Sequence, residues 1–110
     1  MAMAETPSWA QTVINAHLAV TDQVSHSQRL KSDRYFVWQE DGANDAESDD
    51  RHSERAVTGA TDLYSKIEFD PWADTLGEAF DAAGISWTLV LTEYEEETGF
   101  YHWSWDWEVV

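Results

Sequence analysis

Phe100-Tyr101-His102-Trp103-Ser104-Trp105-Asp106-Trp107-Glu108-Val109-Val110 closes the chain, and from 101 to 109 every odd position is Tyr, Trp or Val. Positions 102, 104, 106 and 108 are His, Ser, Asp and Glu. Side chains alternate between the two faces of a strand, so this run makes one apolar face and one wet, acidic face. A helix would scatter the same residues around its circumference. Upstream, Ile85-Ser86-Trp87-Thr88-Leu89-Val90-Leu91-Thr92 leads through Glu93-Tyr94-Glu95-Glu96-Glu97 into Thr98-Gly99. Glycine there takes the positive φ that a tight hairpin connection needs. Residues 85–110 therefore read as a long β-hairpin.

Working outward, Asp70-Pro71 is a helix cap followed by a proline at the first helical position, and Trp72, Leu76, Ala79, Phe80 and Ala83 follow at helical spacing. Gly84 sits where a helix-ending glycine belongs, so a helix is predicted over 71–83. Residues 55–66 read as a strand, in which Gly59 marks a bulge or a close backbone approach. Residues 34–39, Arg-Tyr-Phe-Val-Trp-Gln, are another strand. Between them, 40–54 is a long acidic loop of the kind that tends to carry function. Residues 24–33 are a polar connection with room for a short extended piece at Val24-His26. Thr6-Pro7 opens a first helix over about 7–20, with Trp9, Val13, Ala16, His17 and Val20 at helical spacing and His17 at the edge of the stripe.

The expected architecture is one α+β domain over 1–110, two-layered, with an antiparallel sheet of about four strands and both helices on one face. Its core is expected to hold Trp72, Leu76, Phe80, Trp87, Leu89, Tyr101, Trp103, Trp105 and Trp107. Seven Trp exceed what such a core needs, so some belong at a subunit interface, where tryptophan is enriched.

A net charge of −16 with 14% aromatic residues describes a folded acidic surface, because a disordered chain lacks those aromatics. Six Lys and Arg against 22 Asp and Glu oppose binding to nucleic-acid phosphates. With no Cys, neither a disulfide frame nor a thiolate metal site is available. No apolar run reaches membrane-spanning length, and Met1-Ala2-Met3-Ala4-Glu5 does not resemble a secretion leader. A cytoplasmic setting with no membrane partner is expected.

The four histidines, 17, 26, 52 and 102, share no short spacing, and the acids of the loop lack the calcium-loop pattern, so no metal and no cofactor is expected. His52-Ser53-Glu54 is an adjacency rather than a triad, and no catalytic residue is expected. Aromatic platforms for single strands sit beside Lys and Arg, whereas the closing strand carries Asp106 and Glu108. Half of the acids, 11 of 22, fall within 40–54 and 93–97, a loop and a hairpin tip. Mimicry of DNA asks for acids spread over rigid faces, which weakens that alternative without removing it.

Tyr35-Phe36-Val37-Trp38-Gln39-Glu40, Thr61-Asp62-Leu63-Tyr64-Ser65-Lys66 entering the 70–83 helix, and Tyr94-Glu95-Glu96-Glu97-Thr98-Gly99 with its alternating aromatic strand resemble small tail terminator, tail completion or tail-to-head joining proteins of long-tailed bacteriophages. The resemblance spans about residues 30–110. It implies a virion structural protein without enzymatic activity, assembled in the host cytoplasm as a homo-oligomeric, usually hexameric ring. Such a ring caps the tail tube protein and meets a head-side connector protein, while DNA passes without specific binding. Related head-closure proteins share this character. An acidic lumen would repel DNA at close range, within a Debye length of roughly 8–10 Å. The candidate interface or lumen residues are Glu40, Asp41, Asp45, Glu47, Asp49, Asp50, Glu54, Asp106 and Glu108. An acidic protein-binding or DNA-mimicking inhibitor is the alternative.

Overall fold

Residues 6–43 and 56–110 are described by the computed structural model, the side chains of 42 and 43 excepted. In chain order they form α1 (Ser8–Leu18), β1 (Val24–His26), β2 (Arg34–Ala43), β3 (Val57–Ser65), α2 (Pro71–Ala83), β4 (Ser86–Glu95) and β5 (Phe100–Val109). The strands make one sheet in the order β1-β2-β3-β5-β4. β1 runs parallel to β2, and the other pairs are antiparallel. The fold is α+β as expected, but the sheet is mixed and five-stranded rather than antiparallel with about four strands. The added strand is the Val24-His26 piece, too short to show a period, which is recruited by backbone bonds from Phe36 N–H to Gln23 C=O and from Ser27 N–H to Trp38 C=O.

The alternation of the closing run positions the core. Trp103, Trp105, Trp107 and Val109 point to one face, with Phe36 and Trp38 of β2 and Leu63 of β3 beside them. Ala10, Val13 and Ala16 of α1 and Leu76 and Phe80 of α2 cover that face. Gly59 permits it: a Cβ there would lie 2.4 Å from the Trp107 ring and 2.6 Å from the Gln39 carbonyl. The close approach expected at Gly59 is thus made by an indole.

Four expectations about this layer need correction. Leu89, placed in the core from its alternation with Trp87, is 44% exposed. Among the described residues β4 is an edge strand, and its Trp87 indole crowds Gly77 of α2 and donates to Asp81 Oδ1 at 2.8 Å. Trp72, Trp87 and Tyr101 are partly rather than fully buried. Thr6 does not cap α1: Pro7 is the N-cap residue, without a side-chain bond, and the helix begins at Ser8 and ends at Leu18. Finally, His17 is not at the stripe's edge but completely buried.

His17 is held in a chain of polar groups. Its Nδ1 lies 2.8 Å from the Val13 carbonyl and its Nε2 2.9 Å from Thr61 Oγ1, which also accepts from Trp107 Nε1 at 2.9 Å. A carbonyl only accepts, so Nδ1 carries the proton and Nε2 accepts from the Thr61 hydroxyl. Burial pushes the His17 pKa down to about 4, against a smaller opposing effect of the Val13 bond. A second buried polar group, Asp70, joins α2 to the sheet. It caps Trp72 N–H at 2.9 Å, accepts from Ser65 Oγ at 2.6 Å, and takes both arms of the Arg34 guanidinium. Burial alone would raise its pKa, and the Arg34, Ser65 and Trp72 bonds outweigh it and hold the carboxyl below its usual range.

Candidate functional site: the open sheet face and its free edge

Among the described residues no helix covers the other face of the sheet, and the even positions of β5 lie there with odd positions of β2 and even positions of β3. Cross-strand register sets one row, Tyr35–Tyr64–His102–Glu93, running over β2, β3, β5 and β4. The Tyr35 and Tyr64 rings stack with centroids 5.4 Å apart, and Tyr64 and His102 stack at 4.4 Å. The Arg29 guanidinium lies 3.9 Å over Tyr64 and donates to the Tyr35 hydroxyl, which explains how Tyr35 is buried on an otherwise open face.

A bulge decides what joins His102. In β4 the register shifts between Leu89 and Leu91, so Leu89 pairs with Trp105 but Leu91 pairs with Ser104. One extra residue, Val90, reverses the facing of everything after it. Glu93 and Glu95 therefore share the open face with His102, while Thr92 and Tyr94 align with Trp103 and Tyr101. These two acids lie within β4, not at the hairpin tip where their sequence position put them.

His102 consequently sits among three carboxylates. Its Nε2 is 2.7 Å from Asp62 Oδ1, and its Nδ1 is 3.5 Å from both Glu93 Oε2 and Glu95 Oε2. Nδ1 is shielded from solvent and has no hydrogen-bond partner. Burial opposes protonation of the imidazole, and the Asp62 bond together with the charges of Asp62 and Glu95 and the side chain of Glu93 outweighs it, raising the pKa above the ordinary histidine value. Thr98 at the turn donates to Glu95 Oε1 at 2.9 Å, which fixes that carboxylate with Oε2 toward His102. Short-spacing rules could not find this cluster, because its members are brought together by strand pairing.

Of the residues expected at an interface or lumen, Asp41, Asp106 and Glu108 gather at the far end of the open face around Thr58 and Ser86. Glu40 is separate: it bonds His26 Nε2 at 2.7 Å beside α1, and that bond holds its carboxyl below the usual range. Asp45, Glu47, Asp49, Asp50 and Glu54 lie outside the described residues.

The two ends of the sheet both expose apolar surface, in different shapes. Among the described residues β4 has no strand beyond it, and it presents Leu89, Val90, Leu91 and Tyr94, each more than a third exposed. At the β1 end, Trp9, Ile14, Leu18, Val24 and Trp38 line an open groove of about 490 Å³. No described helix is long and apolar enough to cross a membrane. Compared with known proteins, the chain matches no protein-family model and no curated protein sequence.

Proposed function

We propose that this chain is a structural subunit of a bacteriophage virion, a tail terminator or tail completion protein that closes as a homo-oligomeric ring on the tail tube and meets the head-side connector. The observation that carries the reading is the pair of unlike apolar edges at opposite ends of one sheet. An exposed, unpaired apolar strand is a template for association unless something covers it. When the covering surface is a different patch on the next copy, the contact is head-to-tail, and repetition closes a ring. The β4 edge and the α1–β1 groove are such a pair. Asp41, Asp106 and Glu108, on the open face between those edges, would then face a channel or a neighbouring ring, where like charge keeps passing DNA from sticking.

The test uses two edge variants. Leu89→Lys with Val90→Lys disables the β4 edge, and Ile14→Lys with Leu18→Lys disables the groove. Native mass spectrometry of the wild type, alone and with tail tubes, should give a ring, usually a hexamer. Each variant alone should stay monomeric, and an equimolar mixture should give a dimer, because one intact edge remains on each copy. A wild type that is monomeric in both conditions and absent from purified particles would refute the assignment. A dimer joined through two β4 edges would refute the head-to-tail geometry.

A second reading has one observation in its favour: Asp62, Glu93, Glu95, Asp106 and Glu108 are displayed on rigid strands, as an acidic decoy for a nucleic-acid-binding protein requires. That reading expects a monomer or dimer with tight, salt-sensitive binding to a basic protein.

A further inference from the structure

We propose that His102, Glu93 and Glu95 form a binding site for a first-row divalent transition metal ion, with Zn²⁺ as its representative. The site stands whether or not the chain forms rings, since all three ligands belong to one hairpin.

Asp62 can only accept, so the 2.7 Å contact places a proton on His102 Nε2 and leaves Nδ1 facing Glu93 and Glu95. If Nδ1 is unprotonated, its lone pair meets two carboxylates with nothing between them. If it is protonated, its N–H finds no bond of the 2.7–2.9 Å length that charge assistance gives, because both oxygens stand at 3.5 Å. A separation that long for a hydrogen bond is the right length for two ligands of one ion. With metal–nitrogen and metal–oxygen distances of about 2.0–2.2 Å, neighbouring ligands of a tetrahedral ion lie about 3.4 Å apart. The described ligand atoms of His102, Glu93 and Glu95 all fall within 4.8 Å of one another.

The surroundings have the form of a supporting shell. A metal-bound histidine typically donates its remote N–H to a carboxylate, which sets the tautomer and raises its basicity, and Asp62 occupies that place. Thr98 holds Glu95 by the oxygen turned away from the site, and the Tyr64 ring fixes the plane of the imidazole. Charge also favours the ion. Three carboxylates surround one imidazole, so an imidazolium leaves the group at −2, whereas a neutral imidazole with a divalent ion leaves −1. A nitrogen ligand selects zinc and its neighbours over calcium and magnesium, which prefer oxygen. Three protein ligands leave a fourth position for water or for a donor from a neighbouring molecule.

The test is a Zn²⁺ titration by calorimetry at pH 7 on chelator-stripped protein, with His102→Gln, Asp62→Asn and the control His26→Gln in parallel. One ion per chain is expected. His102→Gln should weaken binding at least about 100-fold, Asp62→Asn about 10- to 100-fold, and His26→Gln not at all. A second measurement needs no variant: on adding Zn²⁺, the ¹⁵N resonance of His102 Nδ1 should shift to the metal-bound range while Nε2 keeps its proton. Binding of Zn²⁺ by His102→Gln as tight as by the wild type would overturn the proposal. So would two protonated ring nitrogens in excess Zn²⁺, and the cluster would then be an imidazolium held by three carboxylates.

Discussion

Acid should destabilise this protein through His17, and the effect can be isolated. The folded-state pKa of His17 is about 4, against 6.5 for the free side chain. A group depressed on folding contributes its full stability above the unfolded value and loses it as the pH falls, because only the unfolded chain then takes up the proton. Between pH 7 and pH 5 the unfolded imidazole becomes almost wholly charged while the folded one stays about nine-tenths neutral, a loss of about 2 kcal/mol. By pH 4 and below the loss approaches about 3 kcal/mol. The many carboxylates also titrate in this range, so wild type must be compared with His17→Leu, in which their contribution is nearly the same. Leucine leaves the Thr61 hydroxyl proton without an acceptor, although Trp107 Nε1 still donates to its oxygen, so the variant should be less stable at pH 7 by about 1–3 kcal/mol. Urea unfolding of both proteins at pH 7 and pH 5 gives the four free energies. The wild-type advantage should shrink by about 2 kcal/mol between them. A constant advantage would mean that His17 protonates as readily inside the core as outside it, and the Thr61–His17–Val13 chain would have been assigned wrongly.

Other perturbations test the remaining parts of the frame. Asp70→Ala removes a helix cap and strands Arg34, whose side chain is 32% exposed; that exposure places the loss at the lower end for a broken buried pair, about 3 kcal/mol, readable as a lowered midpoint in urea. Gly59→Ala drives a methyl group into the Trp107 ring and should cost about 1–3 kcal/mol, with a shifted tryptophan emission as the local report. Trp105→Ala empties a site that is 1% exposed and should cost about 3–5 kcal/mol, enough to unfold a domain of this size near its melting temperature. Asp106→Lys, on the exposed side of the same strand, should leave the melting temperature within about 2 °C and change only assembly or DNA passage; unfolding by this variant would place Asp106 in a structural role.

The parts of this fold that were legible in the sequence are those in which one local period governs many residues. Five alternating positions fix the two faces of β5, and the cap, proline and final glycine bound α2 at both ends, Asp70 and Gly84. Illegible were features set by a single residue or by a distant partner. β1 has three residues and exists because β2 offers backbone partners. His17 lies on a helix face like any half-polar edge residue until Thr61, 44 positions away, supplies the bond that lets it be buried. Leu89 alternates with Trp87, and alternation cannot reveal that β4 ends the sheet.

The bulge at Val90 shows most clearly why the candidate site lay beyond reach. Strict alternation along β4 would put Glu93 and Glu95 on the same face as Trp87, beneath the helices, where two carboxylates without partners would be costly to bury. A single inserted residue resolves that conflict by turning the second half of the strand over. The same turn lines both acids up with His102, whose own position follows from the alternation of β5. Local pattern therefore determines each strand's residues, but the composition of the open face depends on the registration between strands. The His102 cluster is a product of that registration, which the spacing of its members along the chain does not reveal. Glu93 and Glu95 lie two apart on β4, but His102 joins them only across the hairpin turn, and Asp62 comes from a strand on the far side of α2.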